Sequence, residues 1–326
     1  MIGDDGIQGA PEAAKVLILG AGSAGSRHAR TLLDAGAQVS IADPMADRAL
    51  AVDEAVAVPY DLDGLEGYDG IVVASPTIFH ADQLCAALQA SPKVLVEKPL
   101  ATDSATVADL CDSESDRIMV GYNLRLHAPV ERAIELVKQG RAGQVLAARV
   151  WFGSYLPDWR PSVDYRTTYS ARSELGGGVL LDAIHELDLL VWLLRGPFQV
   201  VGAVVETTGS LEIDVEDTVK ALLVSQSGVP VEVSLDYLSR QYRRGIEIVG
   251  EAATVRLDWA RELLQVEDGE ATESEPATTP LMESYRRQAK CFLSWLAGLA
   301  EPPVDGTTGL ASLQLAEQIR AKASGR

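Results

Sequence analysis

Residues Lys15–Ser26 read KVLILGAGSAGS, and this stretch decides the fold. A short apolar run ends at Leu19, glycines follow at Gly20, Gly22 and Gly25, and a helix-like segment continues over 26–33. The pattern predicts a buried strand that turns directly into a helix. Gly20 permits the tight turn, Gly22 lets backbone approach a pyrophosphate with no Cβ in the way, and Gly25 lets the helix pack on the strand. Ser23 and Ala24 sit in the same loop, where free N–H groups and the positive end of a helix dipole favour phosphate.

The next requirement is an acidic residue at the end of the second strand. The β-like run Gln38–Ala42 leads into Asp43, about twenty residues after the first glycine. A carboxylate there accepts hydrogen bonds from an adenosine ribose and repels a 2′-phosphate, which favours NAD over NADP. Arg48, a turn further on, keeps NADP open. The plainer role for Asp43 is to cap a helix beginning near Ala46.

At 326 residues the chain fits two domains of ordinary size, and 47% apolar content supplies ample core. A formal charge of −19 argues against nucleic acid, whose binding needs clustered Lys and Arg, and against an anionic membrane surface. No apolar stretch approaches the ~20 residues that span a bilayer. Residues 1–14 are acidic and Gly-rich, a loose tail without signal-peptide character. Cys85, Cys111 and Cys291 lack metal or redox spacing and read as buried small hydrophobes. These features point to a cytoplasmic protein, and no metal is expected.

From 15 to 123 strands and helices alternate, with strands at 15–19, 38–42, 70–74, 94–97 and 118–122 and a short one at 56–58. Such alternation implies a parallel sheet covered on both faces, with ligands at the carboxyl ends of its strands. After Asn123 the texture changes. A helix at 129–139 leads to a strand at 144–152, an aromatic, Arg-rich loop spans 153–173, and one helix is expected over 178–194. Later strands at 199–207, 217–224, 231–238, 245–250 and 254–258 alternate apolar and polar residues, as a sheet with one wet face does. Residues 265–280 read as an acidic surface loop, and 281–299 and 309–322 as helices. The expected class is α/β: a Rossmann dinucleotide-binding domain, 1–123, then an α+β domain, 124–326, with a mostly antiparallel sheet. The C-terminal helix, 307–323, is expected to pack back on the first domain.

Three segments lie where a nicotinamide and a substrate would meet. Ala74, Ser75 and Pro76, small and polar at a strand end, either let the chain pass close to a cofactor or form an ordinary turn closed by the proline. Glu97-Lys98-Pro99 ends the next strand, and Lys98 there can donate to a substrate hydroxyl oxygen and stabilise charge as hydride leaves the same carbon. A glycine run, 176–178, opens the helix that carries Asp182, His185 and Asp188. Residues three apart share one side of a helix, so these form a polar strip on an otherwise apolar helix. A histidine flanked by carboxylates suits proton relay; the plainer reading is a core histidine bonded to its neighbours.

The order GxGxxG, then EKP, then a glycine run opening a helix with D-x-x-H-x-x-D resembles the glucose–fructose oxidoreductase / inositol dehydrogenase (Gfo/Idh/MocA) family over residues 15–309. The resemblance implies NAD(P)-dependent oxidoreduction of a hydroxyl or keto group on a sugar, amino sugar or inositol-type polyol. It also implies an open C-terminal sheet through which homodimers or homotetramers form. By the same resemblance Lys98 is the family's EKP lysine in a cis bond to Pro99, His185 is the proton acceptor, and Asp182 binds substrate or tunes His185. Glu97 and Asn123 fall among the implied cofactor contacts, and Arg125 in the segment bordering the substrate.

One departure stands out. Many members have three residues between the helix aspartate and histidine, whereas here there are two, Ala183 and Ile184. The loop before that helix offers Trp159 and Tyr165, whose rings suit sugar C–H faces, and Arg160, Arg166 and Arg172, whose forks suit a carboxylate or phosphate. An anionic substrate fits that loop, as does a lid or subunit contact. Two further readings stay open: an NAD-assisted glycosidase or lyase that regenerates its cofactor, and a non-catalytic dinucleotide-binding regulator. The regulator would need neither Lys98 nor His185.

Overall fold

In a computed structural model that describes residues 13–325, Val16, Leu17, Ile18 and Leu19 are all buried, as a strand covered on both faces must be. The expected tail at 1–12 lies outside the described residues. The run forms β1 (Lys15–Leu19), joined by β2 (Gln38–Ala42), β3 (Val56–Ala57), β4 (Gly70–Val73), β5 (Val94–Val96) and β6 (Ile118–Val120). All pair in parallel, in the order β3-β2-β1-β4-β5-β6. The order reverses between β1 and β4, which opens the crevice where doubly wound sheets bind ligands.

Helices α1 (Ser23–Asp34), α2 (Ala46–Leu50), α3 (His80–Ala90) and α4 (Ala108–Ser113) belong to this half. Alternation along β1 sorts the packing. Val16 and Ile18 meet Ala29 and Leu32 of α1, while Leu17 and Leu19 share a core with Leu84 and Ala87 of α3 and Cys111 of α4.

The second half opens with α5 (Ala128–Lys138) and β7 (Val145–Gly153). After α6 (Val179–Asp182) and α7 (Ile184–Leu194) come β8 (Phe198–Glu206), β9 (Thr218–Ser225), β10 (Pro230–Asp236), β11 (Arg243–Gly250), β12 (Thr254–Asp258), β13 (Leu263–Glu267) and β14 (Thr272–Pro276). They form one sheet in the order β14-β13-β12-β11-β7-β10-β9-β8, in which β7 and β10 run parallel and the other pairs antiparallel. Helices α5, α6 and α7 lie against one face. The other face presents exposed Val204 and Leu222, and Leu146 and Val201 are exposed at register irregularities of β7 and β8.

Two last helices, α8 (Leu281–Leu296) and α9 (Gly306–Ser324), return to the first sheet. Phe292 and Trp295 of α8 complete the core around Val16 and Ile18. Val120 of β6 donates its N–H to the Val304 carbonyl at 2.9 Å, and α9 then packs on both β6 and β8. No helix among the described residues is long and apolar enough to cross a membrane.

Three expectations need correction. The acidic stretch expected as a loop instead holds a hairpin, because Thr272–Pro276 pairs with β13; its carboxylates point outward, where Glu273 and Glu275 meet Arg141 and Arg132. An exposed, charged edge strand of this kind carries no apolar alternation to read. Cys85 is exposed, on the solvent side of α3, while Cys111 is buried and Cys291 half-buried; all three are free thiols. The helix expected over 178–194 is broken at Ala183, with consequences for the site.

Candidate active site

The glycine loop has the shape a pyrophosphate requires. Gly20 has φ +100° and donates to the Ala42 carbonyl at 2.8 Å, while a Cβ on Gly25 would lie 1.8 Å from the Gly20 carbonyl oxygen. No side chain therefore fits between strand and helix. A Cβ on Gly22 would meet nothing within 4 Å, and no side chain caps the N-terminus of α1. Open space beside uncapped N–H groups fits the diphosphate of NAD. Asp43 accepts from Ala21 N at 2.7 Å and Met45 N at 2.8 Å, so it ties the glycine loop to the end of β2 and also steadies the turn before α2.

The lysine turn lies at the end of β5. Lys98–Pro99 is cis, as the resemblance implies. The Lys98 Nζ donates to the Asp182 backbone carbonyl at 2.8 Å and lies 3.8 Å from the Asp182 carboxylate. Glu97 is buried; its Oε1 pairs with Nε2 of His28 at 2.6 Å and its Oε2 accepts the Lys98 N–H at 3.2 Å. Burial pushes the Glu97 carboxyl up, but the His28 bond and the charges of His28, Lys98 and Arg27 hold it below its ordinary value. His28 belongs to α1, so the helix that opens at the glycine loop is wired to the lysine turn.

The break at Ala183 explains how the lysine finds its anchor. Glu186 N donates to the Ala183 carbonyl, not to that of Asp182, and the freed Asp182 carbonyl receives Lys98. The Asp182 carboxylate is taken by the hydroxyls of Tyr169 and Tyr237, the latter at 2.7 Å. Burial, then the Asp182 charge, pushes both hydroxyls well above the usual tyrosine range, so they stay protonated and donate.

The expected strip of Asp182, His185 and Asp188 is not a connected triad, because each carboxylate has found other partners. Asp188 holds Arg125 through both its oxygens at 2.7 and 2.8 Å, and Ser312 of α9 at 3.2 Å. No carboxylate among the described residues hydrogen-bonds His185. Its ring packs edge-on to Tyr122 at 5.7 Å, and Nδ1 is buried without a partner among the described residues. Burial, then the positive charges of Lys98 and Arg244, lowers its proton affinity well below the ordinary histidine range. The imidazole is therefore neutral near pH 7 and able to accept a proton. Arg244 is itself buried and clamps Glu186 at 2.6 and 3.2 Å.

The aromatic loop contributes unevenly. Trp159 donates to Ser154 Oγ at 2.8 Å, stands edge-on to Tyr237 at 5.3 Å, and shares a small cleft with Leu156, Arg160, Tyr165, Thr168 and Ser170. Arg166 is exposed and engaged by Asp164 and Glu212, and Arg172 pairs with Glu174. Arg160 has no ion-pair partner among the described residues. Asn123 is buried and donates to Ser284 Oγ at 2.7 Å, and Ser75 Oγ donates to Gln83 at 2.7 Å. Tyr169, Tyr237, Arg244, Glu186 and His28 were not singled out from sequence. Each is contributed by a segment distant in the chain from the group it holds, and no local spacing marks it.

A doubly wound sheet with a pyrophosphate loop at its switch point, facing a lysine and a neutral histidine, defines an NAD-binding oxidoreductase. Residues 14–122 match the oxidoreductase family with an NAD-binding Rossmann fold, GFO/IDH/MocA, and residues 130–256 match the GFO/IDH/MocA C-terminal domain. Among curated proteins, inositol 2-dehydrogenase 3 of Saccharopolyspora erythraea is 31% identical over 74% of this chain and 72% of its own. The 1,5-anhydro-D-fructose reductase of Ensifer adhaerens is 27% identical over 89% of this chain and 90% of its own. Among solved structures, the WlbA dehydrogenase of Bordetella pertussis, in complex with NADH and UDP-GlcNAcA, superposes with TM-score 0.81 at 24% identity, covering 96% of each chain. That last likeness bears on the fold. The chain belongs to the GFO/IDH/MocA family of oxidoreductases.

Proposed function

We propose that the enzyme transfers a hydride between NAD and a secondary hydroxyl or keto group of a sugar, amino sugar or inositol-type polyol. The observation that carries this reading is Lys98 Nζ anchored 2.8 Å from the Asp182 carbonyl, three residues before a buried His185 whose Nδ1 has no partner among the described residues. The names of the curated relatives, an inositol dehydrogenase and an anhydrofructose reductase, support the substrate class.

The Gly20–Gly25 loop and Asp43 would hold NAD, with Ala74, Ser75 and Pro76 at the neighbouring strand end; the bound cofactor supplies hydride acceptance or donation. In oxidation, the unprotonated nitrogen of His185 takes the hydroxyl proton while the Lys98 ammonium donates to the same oxygen and stabilises its growing charge. In reduction the protonated His185 returns that proton to the oxygen, which the Lys98 ammonium continues to stabilise. Asp182 orients Lys98 through its backbone carbonyl, and Tyr169 and Tyr237 fix that residue in turn. Trp159 and Tyr165 offer faces to the sugar, and Arg160 offers a fork to an anionic substituent.

The proposal extends to organisation. Residues 1–123 serve the cofactor and 124–326 the substrate, copies associate through the exposed Val204 and Leu222 face, and the protein acts in the cytoplasm, where its free thiols persist. The test is a panel of polyols and neutral or acidic sugars with NAD and NADP, read by NADH absorbance. Turnover of one class with NAD is expected. Product formation without net NADH, or cofactor binding with no turnover of any member, overturns the proposal.

A further inference from the structure

A buried imidazole outside the catalytic helix joins the lysine turn to the neighbouring strand. His80, at the start of α3, is 1% exposed. Its Nδ1 lies 2.8 Å from the Pro99 carbonyl oxygen and its Nε2 lies 2.9 Å from the Ser75 carbonyl oxygen. Carbonyl oxygens only accept. A neutral imidazole has a single N–H, so one of these contacts would set a nitrogen lone pair against an oxygen lone pair. The imidazolium has two N–H groups and satisfies both. Burial is the largest influence and, with Lys98, holds the proton affinity of His80 below its ordinary value, against the pull of the two carbonyls and the Glu97 carboxylate. The case for the charged ring is therefore the geometry of two acceptors, one of which a neutral ring would leave facing a lone pair.

The anchors on either side are themselves fixed. Ser75 donates its hydroxyl to Gln83, whose amide donates to the Tyr60 hydroxyl at 2.9 Å. On the other side of Lys98, Glu97 N donates to the Val73 carbonyl at 2.9 Å, and Glu97 holds the Lys98 N–H. With Glu97 gripping one flank of the lysine, the only side chain bonded to the Pro99 carbonyl among the described residues is His80. We propose that His80, as an imidazolium donating to Ser75 and Pro99 together, is a positioning residue that sets where Lys98 points. This rests on the reading of Lys98 as the group that acts on the substrate oxygen. His80 acts through the lysine and not on substrate, and misplacing a catalytic group by an ångström can cost on the order of 100-fold in rate.

Three measurements on the full-length protein test this. Nitrogen-15 NMR of histidine-labelled protein, assigned against His80→Gln, is expected to show both ring nitrogens of His80 protonated at neutral pH; a neutral tautomer overturns the two-donor clamp. Acylation of Lys98 by an amine reagent, read by peptide mass spectrometry against exposed Lys322, is expected to change in His80→Ala and to return toward wild type in His80→Gln, which keeps a donor. Unchanged Lys98 acylation in a folded His80→Ala protein overturns the proposal. Neither measurement needs a substrate, so they decide the clamp even if the proposed activity fails. With a turned-over substrate, His80→Ala should lower kcat by about 100-fold with little change in KM, and add no further loss to Lys98→Met. A double variant whose loss is the product of the two single losses overturns it.

Discussion

Lys98 hydrogen-bonds the backbone carbonyl of Asp182, 2.8 Å away, while the carboxylate of the same residue stands off at 3.8 Å. The contact exists because the chain leaves helical geometry at Ala183, so Glu186 does not claim that carbonyl. With two residues between Asp182 and His185, Asp182 serves the lysine mainly through its main chain. Its side chain holds two tyrosines instead.

Replacing the lysine isolates its role. Lys98→Met is expected to reduce turnover by about 10²–10⁴-fold, the ordinary worth of a positioned acid–base group, with NADH affinity near wild type by fluorescence titration. Lost cofactor affinity with normal turnover at saturation would reassign Lys98 to cofactor binding.

The pH dependence has a definite sign. His185 is held below its ordinary value of about 6.5 by burial and two cations, so it stays neutral and basic there, and kcat/KM for oxidation should remain level down through that pH and fall only further into acid. A carboxylate-flanked histidine would give a fall that begins above it. The linked stability runs the same way: the unfolded chain takes up this proton first, so the histidine's contribution is present above about 6.5 and lost as pH falls below it. Urea melts at two pH values should show a smaller acid loss in His185→Gln than in wild type.

Two glycines of the loop should fail differently. In Gly25→Ala the new methyl meets the Gly20 carbonyl, so the melting temperature should drop and NADH binding with it. In Gly22→Ala the methyl enters open space, so the fold should melt as wild type while NADH affinity falls. Differential scanning fluorimetry with and without NADH separates the two.

Tyr237→Phe removes a donor from a buried carboxylate. A loss of about 1–3 kcal/mol in unfolding free energy is expected, together with lower turnover as Asp182 and its lysine loosen. Unchanged turnover in a destabilised Tyr237→Phe protein would show that Asp182 is held by Tyr169 alone.

The first sheet was legible in sequence because each of its signals is local. An apolar run, a glycine triplet and an acidic strand end lie within one βαβ unit, and Lys98 and His185 stand in short motifs of their own. What was not legible depends on partners far apart in the chain. The proton affinity of His185 is lowered by burial and then by Lys98 and by Arg244 from the second sheet, and nothing near residue 185 announces either cation. Arg166 reads as a substrate ligand by residue type and Arg125 by the family resemblance of its segment, and the fold engages their forks with Asp164 and Glu212 and with Asp188. The break at Ala183 was hidden as well, since an apolar run with alanine and isoleucine favours unbroken helix by propensity.

The late return of α8 and α9 also has a bearing on how the protein is made. One face of the nucleotide-binding sheet needs Phe292 and Trp295, and the far edge needs the Val304 carbonyl. At ~5–20 residues per second on the ribosome, the sheet emerges on the order of ten seconds before those residues do. Throughout that interval the nascent chain carries a finished glycine loop on an unfinished domain, with Val16 and Ile18 lacking two of their aromatic neighbours.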